Sequence, residues 1–241
     1  MKRTSAVTIL LVLAISVFAQ TSDTSWVRRN RVGIFFSPHL SYRLLNYDHS
    51  AGWVEQSRNS NEKTTFGFRA GISYHYFITR KIACKIGAAF LQNGFETKKN
   101  DLNWISSDPD FPSENKTVFK YYYLEVPLVL NYYVFHKPKV DVFISAGIST
   151  NVFLQKKTKV KLIYPDGHRN NDSAVEQVGY SKVNFGASIG FGMEYKLSKR
   201  MTGVIEPSIH QFLTSTIVDG HSKEYLNSLG VNIGFNYVFK P

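Results

Sequence analysis

The sequence predicts an all-β protein: an eight-stranded antiparallel up-and-down transmembrane β-barrel. Three observations predict it. Eight segments alternate apolar and polar residues with period two, their connections are alternately short and long, and glycine collects on the polar faces. Nothing in the 241 residues reads as a linker dividing the chain into two domains.

In the first segment Val32, Ile34, Phe36, Leu40, Tyr42 and Leu44 lie opposite Gly33, Ser37, His39, Ser41 and Arg43. The second sets Phe66, Phe68, Ala70, Ile72, Tyr74, Tyr76 and Ile78 against Gly67, Arg69, Gly71, Ser73 and His75. In the third, Ile82, Cys84, Ile86, Ala88 and Phe90 oppose Ala83, Lys85, Gly87 and Ala89. The fourth carries Tyr122 to Val134 on its even positions against Tyr123, Glu125 and Asn131. The fifth sets Val140, Val142, Ile144, Ala146, Ile148 and Val152 against Asp141, Ser145, Gly147, Ser149 and Asn151. The sixth sets Val183, Phe185, Ala187, Ile189, Phe191, Met193 and Tyr195 against Asn184, Gly186, Ser188, Gly190, Gly192 and Glu194. A weaker seventh runs from Met201 to Leu213, and the eighth sets Leu229 to Phe239 against Ser228, Gly230, Asn232, Gly234 and Asn236. Each is close to the roughly 9–11 residues that a tilted spanning strand requires.

Alternation alone also fits a soluble sandwich, so the connections decide. Tight turns fall at Thr79-Arg80-Lys81, at 136–139 and at Ser198-Lys199-Arg200, whereas polar stretches at 46–63, 94–120, 155–182 and 214–224 are long. That layout is expected of outer-membrane barrels, with short turns in the periplasm and long loops outside. Ten of the 16 glycines fall on polar faces, where a narrow lumen needs small side chains. Tyr76, Tyr132, Tyr195 and Tyr237 mark one end of the apolar face, and Tyr42, Phe66, Tyr122 and Phe185 the other, as two interfacial girdles do. The mean hydropathy of −0.19 fits a barrel whose lumen residues are polar.

Lys2 and Arg3 followed by the apolar run Ala6 to Val17 read as a signal peptide over residues 1–19, with the barrel over 20–241. No other run approaches the roughly 18 apolar residues of a spanning helix. Cys84 is the single cysteine, which excludes an intrachain disulfide and a cysteine metal cluster.

Three stretches carry a family resemblance: Tyr123 to Leu130 (YLEVPLVL), Gly186 to Tyr195 (GASIGFGMEY) and Gly234 to Phe239 (GFNYVF). Together they resemble the PorT-like, OmpX-like outer-membrane β-barrel family. The resemblance implies a barrel of the bacterial outer membrane whose aromatic closing strand is the part that assembly machinery recognises. Here Lys240 and Pro241 follow the terminal Phe239. Members include secretion accessories, so the resemblance implies location more than activity.

The formal net charge of +11 is gathered at the short-turn end. Arg28, Arg29 and Arg31 precede the first strand, and Arg80, Lys81, Lys137, Lys139, Lys199, Arg200 and Lys240 mark the turns, beside anionic inner-leaflet headgroups. Nothing in the pattern suggests nucleic-acid binding. Arg43, Arg69, Lys85, Glu125, Asp141, Glu194 and Glu206 fall on the lumen face. Mixed signs there predict an ion-paired network plugging the barrel, with Lys85, Asp141 and Glu194 near the periplasm and Arg43, Arg69 and Glu125 farther out. An ion-pathway gate is the functional alternative. The run Lys156, Lys157, Lys159 and Lys161 reads as a continuation of the fifth strand above the membrane, either a solvated hairpin face or a site for acidic lipopolysaccharide groups or a partner. His39, His75 and His210 share the lumen face with Ser37, Ser73 and Ser208, but their spacing matches no triad or metal motif.

The expectation is therefore a monomeric barrel, non-enzymatic and without cofactor. It would act as a surface protein or as an accessory of an envelope or secretion complex. Its partners would be outer-membrane lipids, lipopolysaccharide and another envelope protein. A narrow channel is the alternative, and a lipid A-modifying enzyme stands third.

Overall fold

Wherever apolar and polar residues alternate, the chain is extended. The computed structural model describes residues 30–47, 57–58, 60–104, 110–218 and 222–239. The signal-peptide reading of residues 1–19, together with Arg28, Arg29 and Lys240, lies outside the described residues.

Among the described residues, eleven strands form one antiparallel sheet. They are β1 (Arg31–Tyr47), β2 (Glu62–Lys63), β3 (Thr65–Phe77), β4 (Ile82–Thr97), β5 (Asn100–Asp101), β6 (Glu114–His136), β7 (Val140–Ile163), β8 (Arg169–Glu176), β9 (Val183–Lys196), β10 (Met201–Phe212) and β11 (Ser222–Val238). Each barrel strand pairs with its neighbour in sequence; β4 pairs with β6, β7 with β9, and β1 with β11. The result is a closed ring of β1, β3, β4, β6, β7, β9, β10 and β11. Strands β2, β5 and β8 lie along the long-loop end and extend β4, β6 and β7 there.

The barrel is inverted relative to a soluble protein. Ile34, Phe36, Ile72, Leu128, Ile148, Ile189, Ile209 and Phe235 are exposed on the outer wall, while Ser41, Asn131, Asn151, Asn184, Glu125 and Glu194 are buried. Lipid is the solvent that makes this arrangement stable. Tyr76, Tyr132, Tyr195 and Tyr237 face outward at the short-turn end, and Tyr42, Phe66 and Phe185 do so at the other.

Tight turns are built locally. The Thr79 Oγ1 accepts from the Ile82 amide at 3.0 Å, and the Ser198 Oγ accepts from the Met201 amide at 3.1 Å. Hydroxyls here satisfy the amides that the reversing ladder leaves free.

Among the described residues, three prolines sit inside barrel strands, and each lies at a break in one ladder. The β1–β11 register is interrupted at Pro38, the β4–β6 register at Pro127 and the β9–β10 register at Pro207. A proline has no N–H to donate, so one rung is lost and the partner strand continues past it.

The structure extends several strands beyond the sequence expectation. Strand β4 runs to Thr97, β6 starts at Glu114 and β11 starts at Ser222, inside stretches that the sequence reads as loops, while β7 reaches Ile163 and so carries the lysine run as the continuation of the fifth strand that the sequence suggests. Outside the membrane the outer face needs no apolar residues, so alternation fades while the ladder persists.

Gly192 shows why small residues line the lumen. A Cβ there would overlap the Phe143 ring across the β7–β9 pair. Gly192→Val should therefore lower the yield of folded, heat-modifiable barrel on gels, and adding Phe143→Ala should restore much of it.

Candidate functional site

The lumen is crossed by charged tiers set between aromatic layers. Nearest the short-turn end, Arg31 of β1 is ion-paired with Glu194 of β9, which also accepts from the Tyr133 hydroxyl at 2.9 Å. The Arg31 guanidinium lies 4.5 Å from the Phe77 ring centre, and Phe77, Tyr133 and Phe143 pack together around it. Arg31 thus belongs to the lumen and not to the headgroup-facing cations, because β1 begins one residue earlier than its apolar alternation does. Asp141 pairs with Lys196 at 3.1 Å and with His136 at 3.1 Å, both at the rim.

One step up, Lys85 of β4 reaches Glu206 of β10 at 3.2 Å, and Glu206 also accepts from Ser145 and from the Asn232 amide at 2.9 Å. The cavity beside this pair measures about 40 Å³ and is lined by Asn131, Ser145, Asn232 and Asn236. Such a space is of the size that holds a few waters.

Above it, Arg69 meets Glu125 at 3.1 Å. His210 lies beside that pair, with its Nε2 2.9 Å from the Ser149 Oγ and 3.6 Å from Glu125. A serine, a histidine and a carboxylate at these distances invite a hydrolase reading. A working triad divides the two imidazole nitrogens between nucleophile and acid. Here both partners address Nε2, while Nδ1 has no hydrogen-bond partner. Tyr123 and Phe212 pack edge to face at 5.1 Å, and His210 packs against Phe212, so the group is buried without room for a substrate. Among the described residues, no cluster of three or more His, Cys, Asp or Glu is arranged to hold a metal ion.

Leu91, Phe95, Tyr121, Tyr123, Phe212 and Leu226 close the lumen toward the long loops. Over them Arg43 pairs with Glu62 and, at 2.5 Å, with Glu224, while its guanidinium lies 3.8 Å from the Phe95 ring centre. A mouth cavity of about 420 Å³ opens beside Arg43, Glu62, Tyr121, Lys156, Tyr180 and Glu224. Glu62 and Glu224 escaped the sequence reading because they lie in stretches taken as loops.

The lysine run is divided by one irregularity. Tyr123 pairs with Phe153 but Tyr122 pairs with Gln155, so Leu154 is an extra residue in β7. This bulge shifts the phase of the strand. Lys156 turns inward, donates to the Tyr180 hydroxyl oxygen at 2.7 Å and to Glu176 at 3.1 Å, and lies over the Phe119, Tyr121 and Tyr180 rings. Lys157, Lys159 and Lys161 take the outward face. The Tyr180 hydroxyl bonded to Glu176 Oε2, backed by Lys156, holds that carboxyl below its ordinary range, while burial and Glu176 push the Tyr180 hydroxyl up.

The outer membrane protein beta-barrel domain profile matches residues 18–213. The chain belongs to that family. Membership places this barrel in the bacterial outer membrane. Among solved structures it is similar to Neisserial surface protein A, at 11% identity over 85% of this chain and 95% of that one, TM-score 0.43. It is also similar to Ail, the attachment invasion locus protein of Yersinia pestis, at 15% identity over 87% and 99%, TM-score 0.36. The outer membrane protease OmpT from Escherichia coli is similar at 7% identity over 92% and 100%, TM-score 0.43. No curated protein sequence matches the chain.

Two outcomes follow from the charge pairs of this family member. Arg31→Met strands a fully buried carboxylate and should cost about 3–5 kcal/mol, read as an earlier urea unfolding midpoint, whereas Arg31→Met with Glu194→Gln should recover most of it. Because the Glu176 carboxyl is depressed, its contribution is complete above the ordinary carboxylate range and is lost as pH falls through the lowered one. Proteolysis of the β7–β8 hairpin should accelerate on acidification below about pH 4, and Glu176→Gln should show the faster rate already at neutral pH.

Proposed function

We propose that this protein is a closed, non-enzymatic barrel that acts through its long-loop end as a surface or accessory component of an envelope or secretion complex. The observation that carries the reading is the filled lumen. Lys85–Glu206 and Arg69–Glu125 cross it between two aromatic layers, and Arg31–Glu194 and Arg43–Glu224 stand at those layers toward the two ends. Removing either partner of a buried pair is costly, so the pairs act as braces rather than as mobile carriers.

In this reading the tight turns and both chain ends lie in the periplasm. Arg80, Lys81, Lys137, Lys139, Lys199 and Arg200 would stand beside inner-leaflet phospholipids there, where cations at the membrane surface are favoured. The ring has no open edge in the lipid band, since β1 pairs with β11, which supports a monomeric barrel. The working surface is then the sheet of β6, β7 and β8 with the adjoining loops. Its partners are outer-membrane lipid, lipopolysaccharide and another envelope protein. A narrow channel is the competing reading, favoured by the polar cavity beside Lys85 and Glu206.

Planar-bilayer recording separates the two. Refolded barrel, verified by heat-modifiable migration, should be silent at moderate voltage. Steady unitary conductance that changes in Lys85→Ala would make transport the function instead.

A further inference from the structure

The outer wall of β6 and β7 changes chemistry just above the aromatic row. Below it, Leu124, Val126, Leu128 and Leu130 of β6 and Ile148 and Val152 of β7 are exposed on the lipid-facing side. Above Tyr122 the same side of β6 carries Lys120, Val118 and Lys116. Because of the Leu154 bulge, these stand directly opposite Lys157, Lys159 and Lys161.

Two of those three rungs set lysine against lysine, Lys120 against Lys157 and Lys116 against Lys161. Directly opposed like charges weaken a strand pair, so the arrangement is unfavourable without an anion between them. Lys116 has Glu96 at 2.7 Å. Among the described residues, Lys120, Lys157, Lys159 and Lys161 have no carboxylate partner. The neighbouring strands supply one carboxylate, Glu96 of β4 opposite Val118, and Lys116 takes it; β8 sets Val175, Ser173 and Asn171 beside the three β7 lysines, and β4 sets Gly94 beside Lys120. The four lysines, with Val118 as floor and Tyr122 at the membrane edge, line a cleft of about 270 Å³.

Height separates the candidate anions. A tilted strand climbs roughly 2.5 Å per residue, so the rungs stand about 5 to 15 Å above the Tyr122 level. A phospholipid places its phosphate in one plane and would meet only the lowest rung. A glycolipid carrying phosphates on successive sugars presents charge at several heights, while its acyl chains lie against the apolar wall below. We propose that this lysine ladder docks the phosphorylated headgroup of an outer-leaflet glycolipid. The proposal rests on the reading that the long-loop end faces outside.

The test uses the intact barrel in nanodiscs, with binding of fluorescent lipopolysaccharide compared against the same glycolipid after dephosphorylation. Phosphorylated glycolipid should bind more tightly and lose affinity as salt rises. Lys120→Gln, Lys157→Gln, Lys159→Gln and Lys161→Gln should each weaken binding about fivefold, the equivalent of about 1 kcal/mol per surface cation. The combined variant should keep its heat-modifiable migration, since it removes repulsion, and the matching Lys→Arg set should retain binding. Equal affinity for the dephosphorylated glycolipid, or no loss in the combined Gln variant, would overturn the proposal. So would inorganic polyphosphate binding as tightly as the glycolipid, which would mark a site for soluble polyanions. Nanodisc binding is independent of orientation in the cell. Asn170→Cys, exposed on β8 away from the lysine cleft, should react with a membrane-impermeant maleimide on intact cells, and absence of labelling would sink the orientation by itself, and with it the outer leaflet as the source.

Discussion

A backbone amide in hydrocarbon has no water to turn to, and each one left unpaired costs several kcal/mol. The rest of this structure depends on that constraint, which is met when β11 pairs with β1 from Arg31 opposite Val238 to Tyr47 opposite Ser222. Closure removes both edges from the lipid band and obliges every barrel strand to alternate. The three in-strand prolines show how little slack remains. Pro38, Pro127 and Pro207 each interrupt only one of their strand's two ladders, so the opposite neighbour still holds the strand in place.

Closing the ring at eight strands also makes the lumen narrow, and the interior follows from that. Side chains must fill the space without overlapping, so Gly192 yields to Phe143, and Gly67 and Gly230 yield to His39. Charges placed inside cannot reach bulk water. They persist where an opposite charge and further hydrogen bonds meet them, as Glu206 is met by Lys85, Ser145 and Asn232. The aromatic layers above and below thin the water around these pairs and strengthen them, the same low dielectric that would penalise an unpaired member.

Beyond the membrane the constraint relaxes and the sheet takes on a different character. Strands β6 and β7 continue as a tall hairpin with β8 alongside, and one extra residue at Leu154 decides which lysines look inward. Lys156 becomes an internal brace among Phe119, Tyr121, Tyr180 and Glu176, while its neighbours form an outward basic face. A run of four similar side chains thereby acquires two separate roles.

The sequence by itself determined the barrel. Membrane strands are obliged to alternate, and this chain does so from Val32 through Phe239 with turns and loops in strict rotation. Within a regular strand parity sets which side a charge takes, and that rule misses Arg31, one residue before the alternation begins, and Lys156, just past the bulge. Only the tertiary structure decided who meets whom. Lys85 and Glu206 are 121 positions apart, and Arg31 finds Glu194 across the ring, pairings set by the stagger of a closed sheet rather than by spacing along the chain. Glu62 and Glu224 were invisible as partners of Arg43 because, past the lipid, the outer face no longer has to be apolar and the alternating signal fades. The Leu154 bulge was equally hidden, since a single inserted residue alters strand phase without altering composition.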